Sequence, residues 1–316
     1  MQQSASVKRR AKKFAKPRCL IIGCGDVGMR LLPHLVDRFR VFAVTSQRAD
    51  SERFVQLRAA GAVPVFANLD QVDTIKRLAG LANIIVHLAP PRSEGEIDLR
   101  TQQLAAILPE MAHLVYVSTT GVYGDCGGVQ FDETRPCKPN NTRAKRRVSA
   151  ENILRAWAKR RGAVLSILRV PGIYAADRLP IERLRKGTPA LIASDDVYTN
   201  HIHAEDLAYL IKLAIFRARP NRVYHAVDDS DLKMADYFDQ VADHFQLPRP
   251  PRLPRAELEK QVSPMLLSFM SESRRLMNRR IKTEFGARLR FPTVNRALLD
   301  LISSDVKFEL AATRQS

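Results

Sequence analysis

Cys19-Leu20-Ile21-Ile22-Gly23-Cys24-Gly25-Asp26-Val27-Gly28 decides how the rest of the chain is read. A short apolar run enters three glycines spaced Gly-x-Gly-x-x-Gly, and an amphipathic stretch follows. The spacing alone is a weak sign. Set between a strand and a helix, it describes a turn that cradles phosphates. Gly23 permits the tight turn, Gly25 lets a pyrophosphate approach the backbone, and Gly28 lets the helix pack close to the strand. Asp26 and Val27 open that helix, whose N-terminus faces the phosphates. Pro33 removes a backbone donor from it and predicts a kink.

Outward from this turn, apolar runs and amphipathic stretches alternate. Strands are predicted at Cys19–Ile22, Val41–Val44, Val63–Phe66, Ile84–Leu88, Leu114–Ser118 and Val164–Val170. Each run is nearly continuous, as strands covered on both faces require. Helices are predicted near 26–38, 50–60, 71–80, 98–110 and 143–161, the last ending at Gly162. The pattern predicts an α/β chain: a Rossmann-type doubly wound parallel sheet with a smaller C-terminal substrate lobe. Residues 1–17 read as a disordered basic tail and 18–175 as the NAD(P)-binding domain. Residues 199–228 are expected to return to that domain, and 176–316 to form mainly the substrate lobe. A Pro-rich stretch at 248–254 predicts an extended connection, and a basic helix is expected near 271–280.

After the second strand the sequence is Thr45-Ser46-Gln47-Arg48, without the carboxylate that holds a ribose 2′-hydroxyl in NAD sites. Ser46 and Arg48 suit a 2′-phosphate instead, so NADP is favoured, with NAD second. The 316 residues include 45% hydrophobic and 27% charged positions, a globular balance with no apolar run long enough for a membrane span. The net charge of +18 hints at an anionic partner. It is concentrated in residues 1–18, 143–161 and 249–290. Two of these stretches suit an anionic cofactor or substrate, so a nucleic-acid partner is disfavoured and the tail is left without a role. Four cysteines fall in no zinc or redox spacing, which points to free thiols and a cytoplasmic setting. His201-x-His203 lacks a third ligand nearby, so no metal is expected.

Further landmarks are His87-Leu88-Ala89-Pro90-Pro91, Tyr116-Val117-Ser118-Thr119-Thr120-Gly121-Val122-Tyr123-Gly124, Leu168-Arg169-Val170-Pro171-Gly172-Ile173-Tyr174 and Asn200 to Ala208. With the glycine turn, they make residues 18–300 resemble the short-chain dehydrogenase/reductase superfamily. The resemblance is to its extended and atypical NAD(P)-dependent epimerase/dehydratase members. It implies that Leu88, Ala89 and Pro90 line the cofactor cleft and that Ser118 orients a substrate oxygen. It also implies a homodimer. The resemblance breaks at the reaction centre. The family's Tyr-x-x-x-Lys pair falls on Arg143 and Arg147, when aligned on Ala150-Glu151. Guanidinium keeps its proton above pH ~12, so it can hold an oxyanion but is a poor proton donor. Tyr123 is the candidate acid/base in its place, its pKa lowered by Lys145 or Arg147. Arg143 and Arg147 are the candidate anion clamp.

Two readings follow. One is an NAD(P)-dependent oxidoreductase or epimerase-like enzyme acting on an anionic small molecule such as a sugar nucleotide. The other is a non-catalytic NADP-binding sensor or RNA-associated protein.

Overall fold

A strand whose alternate side chains are all apolar needs a cover on each face, and helices supply both covers. The computed structural model describes residues 15–301. Its central strands are β1 (Arg18–Ile22), β2 (Arg40–Thr45), β3 (Val63–Phe66), β4 (Ile84–His87), β5 (His113–Thr119), β6 (Val164–Val170) and β7 (Arg222–His225). They form one parallel sheet in the order β7-β6-β5-β4-β1-β2-β3. The order reverses between β1 and β4, which opens a crevice at their carboxyl ends.

The main helices are α1 (Asp26–Leu35), α2 (Glu52–Ala59), α3 (Leu99–Ile107), α4 (Thr142–Arg161) and α5 (Ala204–Arg217). Cys19 and Ile21 of β1 join the core that includes α1 and α5, whereas Leu20 and Ile22 join the core that includes α3 and α4. This two-residue alternation is why the strands read as unbroken apolar runs. Asn141 caps α4 by accepting from the Ala144 amide at 2.9 Å, and Gly162 ends the helix at φ +60°. Helix α1 continues through Pro33 to Leu35, so the missing donor falls in its last turn.

A smaller core gathers Tyr174, Leu184, Phe238, Val241, Phe291 and Val294 around α6 (Met234–His244). The Pro-rich stretch is extended, and its Arg252–Leu253 segment pairs with Ala190–Leu191. The basic helix expected near 271–280 does not form. Arg275–Leu276 instead pairs with Gln130–Phe131, and α7 (Arg279–Phe285) begins only at Arg279. The segment serves as a strap: Arg274 donates to the Gly124 carbonyl, and the Leu276 amide donates to Asn200 Oδ1. Extended backbone leaves these groups free to bond outward.

One buried acid fastens the lobes, and a second is buried between aromatic rings. Asp206 of α5 is buried and accepts the amides of Arg290 and Phe291, each at 2.8 Å. Asp228, just beyond β7, is buried with Tyr174 and His201, and burial pushes its pKa up to about 7. His201 stacks on Tyr237, while His203 Nδ1 accepts from the Glu205 amide at the head of α5. Among the described residues, no group of three His, Cys, Asp or Glu is placed to hold a metal.

Asp206→Ala strands one buried and one part-buried amide and should cost about 2–4 kcal/mol in chemical denaturation, whereas Asp206→Asn should cost less because one carbonyl oxygen remains. Asp228 has a folded pKa above its unfolded value, near 3.9, so its contribution is full below that value and is lost as pH rises towards 7. Asp228→Asn should therefore raise the melting temperature relative to wild type more at pH 8 than at pH 4. An equal shift at both values would show that the carboxyl does not titrate there.

Candidate cofactor and active site

The crevice begins at the glycine turn. Gly23 has φ +80°, and a Cβ there would lie 2.6 Å from the Ala89 amide nitrogen. Both strain and space therefore demand glycine. A Cβ on Gly28 would meet Cys24 Sγ at 2.8 Å and Leu88 Cδ1 at 3.4 Å, so the start of α1 packs closely on the glycine turn and on the segment after β4. Gly25 is open: only the Gly23 carbonyl comes as near as 4.0 Å. No side chain caps α1, so the first-turn amides from Asp26 and Val27 onward remain available to an anion. The Asp26 carboxylate is held by Arg30 at 3.1 Å and Arg178 at 3.5 Å, which offsets its charge beside that turn.

Across the crevice, the amides of Leu88 and Ala89 both donate to the Ile22 carbonyl, and Arg100 holds the Pro90 carbonyl at 3.0 Å. The wall is thus built from backbone. Ser46 and Arg48 are exposed beyond β2. Arg53, which the sequence reading passed over, reaches from the first turn of α2 to the Cys24 carbonyl. Its signal was available: an arginine in the first turn after the second strand, pointing back to the glycine turn. These features fit a dinucleotide, with an open glycine face, an uncapped helix N-terminus and a backbone wall.

The predicted catalytic residues separate. Ser118 is buried, and its hydroxyl donates to Glu151 Oε1 at 2.7 Å. Tyr123 is buried too. Its hydroxyl lies 2.5 Å from His225 Nε2 and accepts from Arg169 Nη1 at 2.7 Å. His225 Nδ1 lies 3.0 Å from the Met277 carbonyl, so Nδ1 carries the proton and Tyr123 donates to Nε2. The expected lowering of the Tyr123 pKa does not occur: burial pushes it up and outweighs the nearby Arg169. The nominated cations are elsewhere. Lys145 binds Glu96 at 2.6 Å, and Arg147 donates to the Tyr116 hydroxyl at 3.0 Å and the Val117 carbonyl at 3.2 Å.

Thr119 was overlooked. It is half-buried at the last position of β5, and its Oγ1 accepts from the Gly121 amide at 3.3 Å. Accepting leaves its proton free to donate, unlike that of Ser118. Strand alternation puts the two hydroxyls on opposite faces. Arg143 is exposed in the first turn of α4, and Arg147 is half-buried one turn later.

Solved structures with this architecture cover nearly the whole chain. A protein of unknown function from Silicibacter pomeroyi is 28% identical at a TM-score of 0.74, covering 92% of this chain and 99% of its own. UDP-glucose 4-epimerase from Thermotoga maritima is 16% identical at 0.71, covering 89% and 96%. A dTDP-glucose 4,6-dehydratase from Streptomyces venezuelae, with NAD bound, is 18% identical at 0.69, covering 89% and 95%. No curated protein sequence matches the chain. The family model for NAD-dependent epimerases and dehydratases matches residues 19–226, and the chain belongs to that family.

Proposed function

We propose that the chain is an NADP-dependent oxidoreductase or epimerase-like enzyme acting on an anionic small molecule, with a sugar nucleotide as the substrate class. The observation that carries this reading is the open glycine turn at the sheet reversal, with Thr119 and the arginines of α4 placed beyond it. Epimerases and dehydratases of nucleotide sugars among its structural neighbours support the substrate class. Four free thiols support a reducing, cytoplasmic setting. A homodimer through α4 follows the family resemblance.

When bound, NADP supplies hydride exchange at its nicotinamide. The chain's own residues orient the substrate and handle its charge. Gly23, Gly25 and Gly28 with the first amides of α1, including those of Asp26 and Val27, hold the pyrophosphate. Leu88, Ala89 and Pro90 form the opposite wall. Ser46 and Arg48 meet the 2′-phosphate, and Arg53 adds charge near the glycine turn. Thr119 takes the role first given to Ser118, donating its free proton to a substrate oxygen. Arg143 and Arg147 stabilise negative charge that develops there, as preorganised donors do in a dry cleft. Ser118 and Tyr123 act behind the site: each hydroxyl is committed to a buried partner, and both fix the β5 edge.

Arginine at both family positions and the burial of Tyr123 favour a second reading, a cofactor-binding sensor without turnover. The two separate on a panel of carbonyl compounds and nucleotide sugars assayed with the purified protein. Turnover that Thr119→Val reduces at least about a hundredfold, with cofactor binding intact, supports the enzyme. Tight NADP binding with no turnover across the panel supports the sensor. Arg48→Asp should weaken NADP about tenfold or more while leaving NAD within about threefold, since a charge-assisted bond of roughly 1.5–3 kcal/mol is lost only with the phosphate. Equal loss for both cofactors would remove Arg48 from the site.

A further inference from the structure

At the amino edge of the sheet, opposite the glycine turn, a second group of cations gathers. Arg18 opens β1 and Arg40 opens β2, and the parallel register makes them direct Cα partners. With Lys16, Val36, Phe39 and Gly61 they line a cavity of about 380 Å³. Like charges side by side on neighbouring strands are unfavourable unless something offsets them. Among the described residues, Lys16, Arg18, Arg38 and Arg40 form no ion pair. Asp37, next to Arg38 in the chain, is exposed. By contrast, Arg30 and Arg100 near the carboxyl edge each bind carboxylates.

An aromatic ring stands beside this group. Phe216, at the last turn of α5, is 46% exposed. Arg38 lies 5.6 Å from its centroid, and Phe39 packs against it at 5.7 Å. Positive charge also continues along the sequence before the cavity: Lys8, Arg9, Arg10, Lys12 and Lys13 precede Lys16, with no acid in residues 1–18. A mononucleotide carries too few phosphates to offset so many cations. A strand carries one per nucleotide, and its bases stack on exposed rings that basic groups flank.

We propose that this edge binds single-stranded nucleic acid, with Arg18 and Arg40 on backbone phosphates and Phe216 as the stacking face for a base. The site is separate from the cofactor crevice, at the other end of the same strands. The fit to a strand rather than to a lipid surface rests on Phe216, a single ring flanked by a cation. A membrane site of this kind would present a broader apolar face.

The test is fluorescence anisotropy of a labelled twelve-nucleotide oligouridylate with the full chain, titrated at several salt concentrations. Binding should fall with salt by a log–log slope of about 0.7 for each phosphate neutralised. The double variant Arg18→Gln/Arg40→Gln should bind at least about tenfold more weakly and shallow the slope by about 1.4. Phe216→Ala should weaken binding about fivefold or more while leaving the slope unchanged. Undiminished NADP binding in each variant serves as the check on folding. Absence of oligonucleotide binding overturns the proposal. So does binding that the double variant leaves intact but removal of residues 1–14 abolishes, and so does tighter, equally Arg18- and Arg40-dependent binding to phosphatidylserine vesicles or to a polyglutamate peptide.

Discussion

The carboxyl edge of the sheet depends on a buried ion pair between Glu151 of α4 and Arg169 of β6, whose side chains are 3% and 5% exposed. Burying two charges is costly unless their remaining hydrogen-bonding capacity is filled. Here it is well used. Arg169 Nε meets Glu151 Oε1 at 3.1 Å and Nη2 meets Oε2 at 2.7 Å, a bidentate arrangement. Oε1 also accepts from Ser118, while the guanidinium also reaches Tyr123 and Cys137. One pair therefore ties α4, β5, β6 and the turn after β5 together. It also sets the face that α4 presents. With Glu151 locked inward, Arg147 one turn earlier meets Tyr116 and Val117, and Arg143 a further turn earlier stands at the exposed head of the helix.

That pair explains why the reaction centre was less legible in the sequence than the sheet. Five of the six apolar runs from Cys19 to Val170 have their burial written in their composition; Val63–Phe66, at the sheet edge, is only partly covered, and the observed strands follow all six runs to within a residue at each end. The glycine turn is equally local, since its strain and close contacts arise within a strand, a turn and a helix. The fates of Ser118 and Tyr123 are not local. Ser118 donates to a glutamate 33 residues away, and Tyr123 finds His225 at a separation of 102. No pattern within their own segment reports those partners. The choice between Ser118 and Thr119 turns on a single step of strand register, which exchanges a buried face for an open one. The 271–280 segment failed for a related reason: its polar groups serve loops far away in sequence, and helix periodicity cannot express that.

The same pairing changes the meaning of the net charge. Many of the arginines counted in it already hold a carboxylate: Arg222 with Glu284, Arg252 with Asp239, Arg275 with Asp231 and Arg280 with Glu133. Each such pair adds nothing to the total, so the +18 is carried by unmatched cations, and where those lie decides where an anion would settle. One such group stands at the amino edge, and helix geometry tests whether it needs a ligand. At that edge α1 and α5 end, and helix C-termini favour cations within about one turn at 0.3–1 kcal/mol each. Lys16 fits this account, since its Nζ donates to the Val36 carbonyl at the end of α1. Arg18 and Arg40 do not. They share the cavity with Val36 at the end of α1, but they open neighbouring strands and are paired in register with one another. Helix ends therefore hold one of the three cavity cations, while Arg40 lies 5.4 Å from the Phe42 centroid and Arg18 stands exposed beside it, both open to an anion.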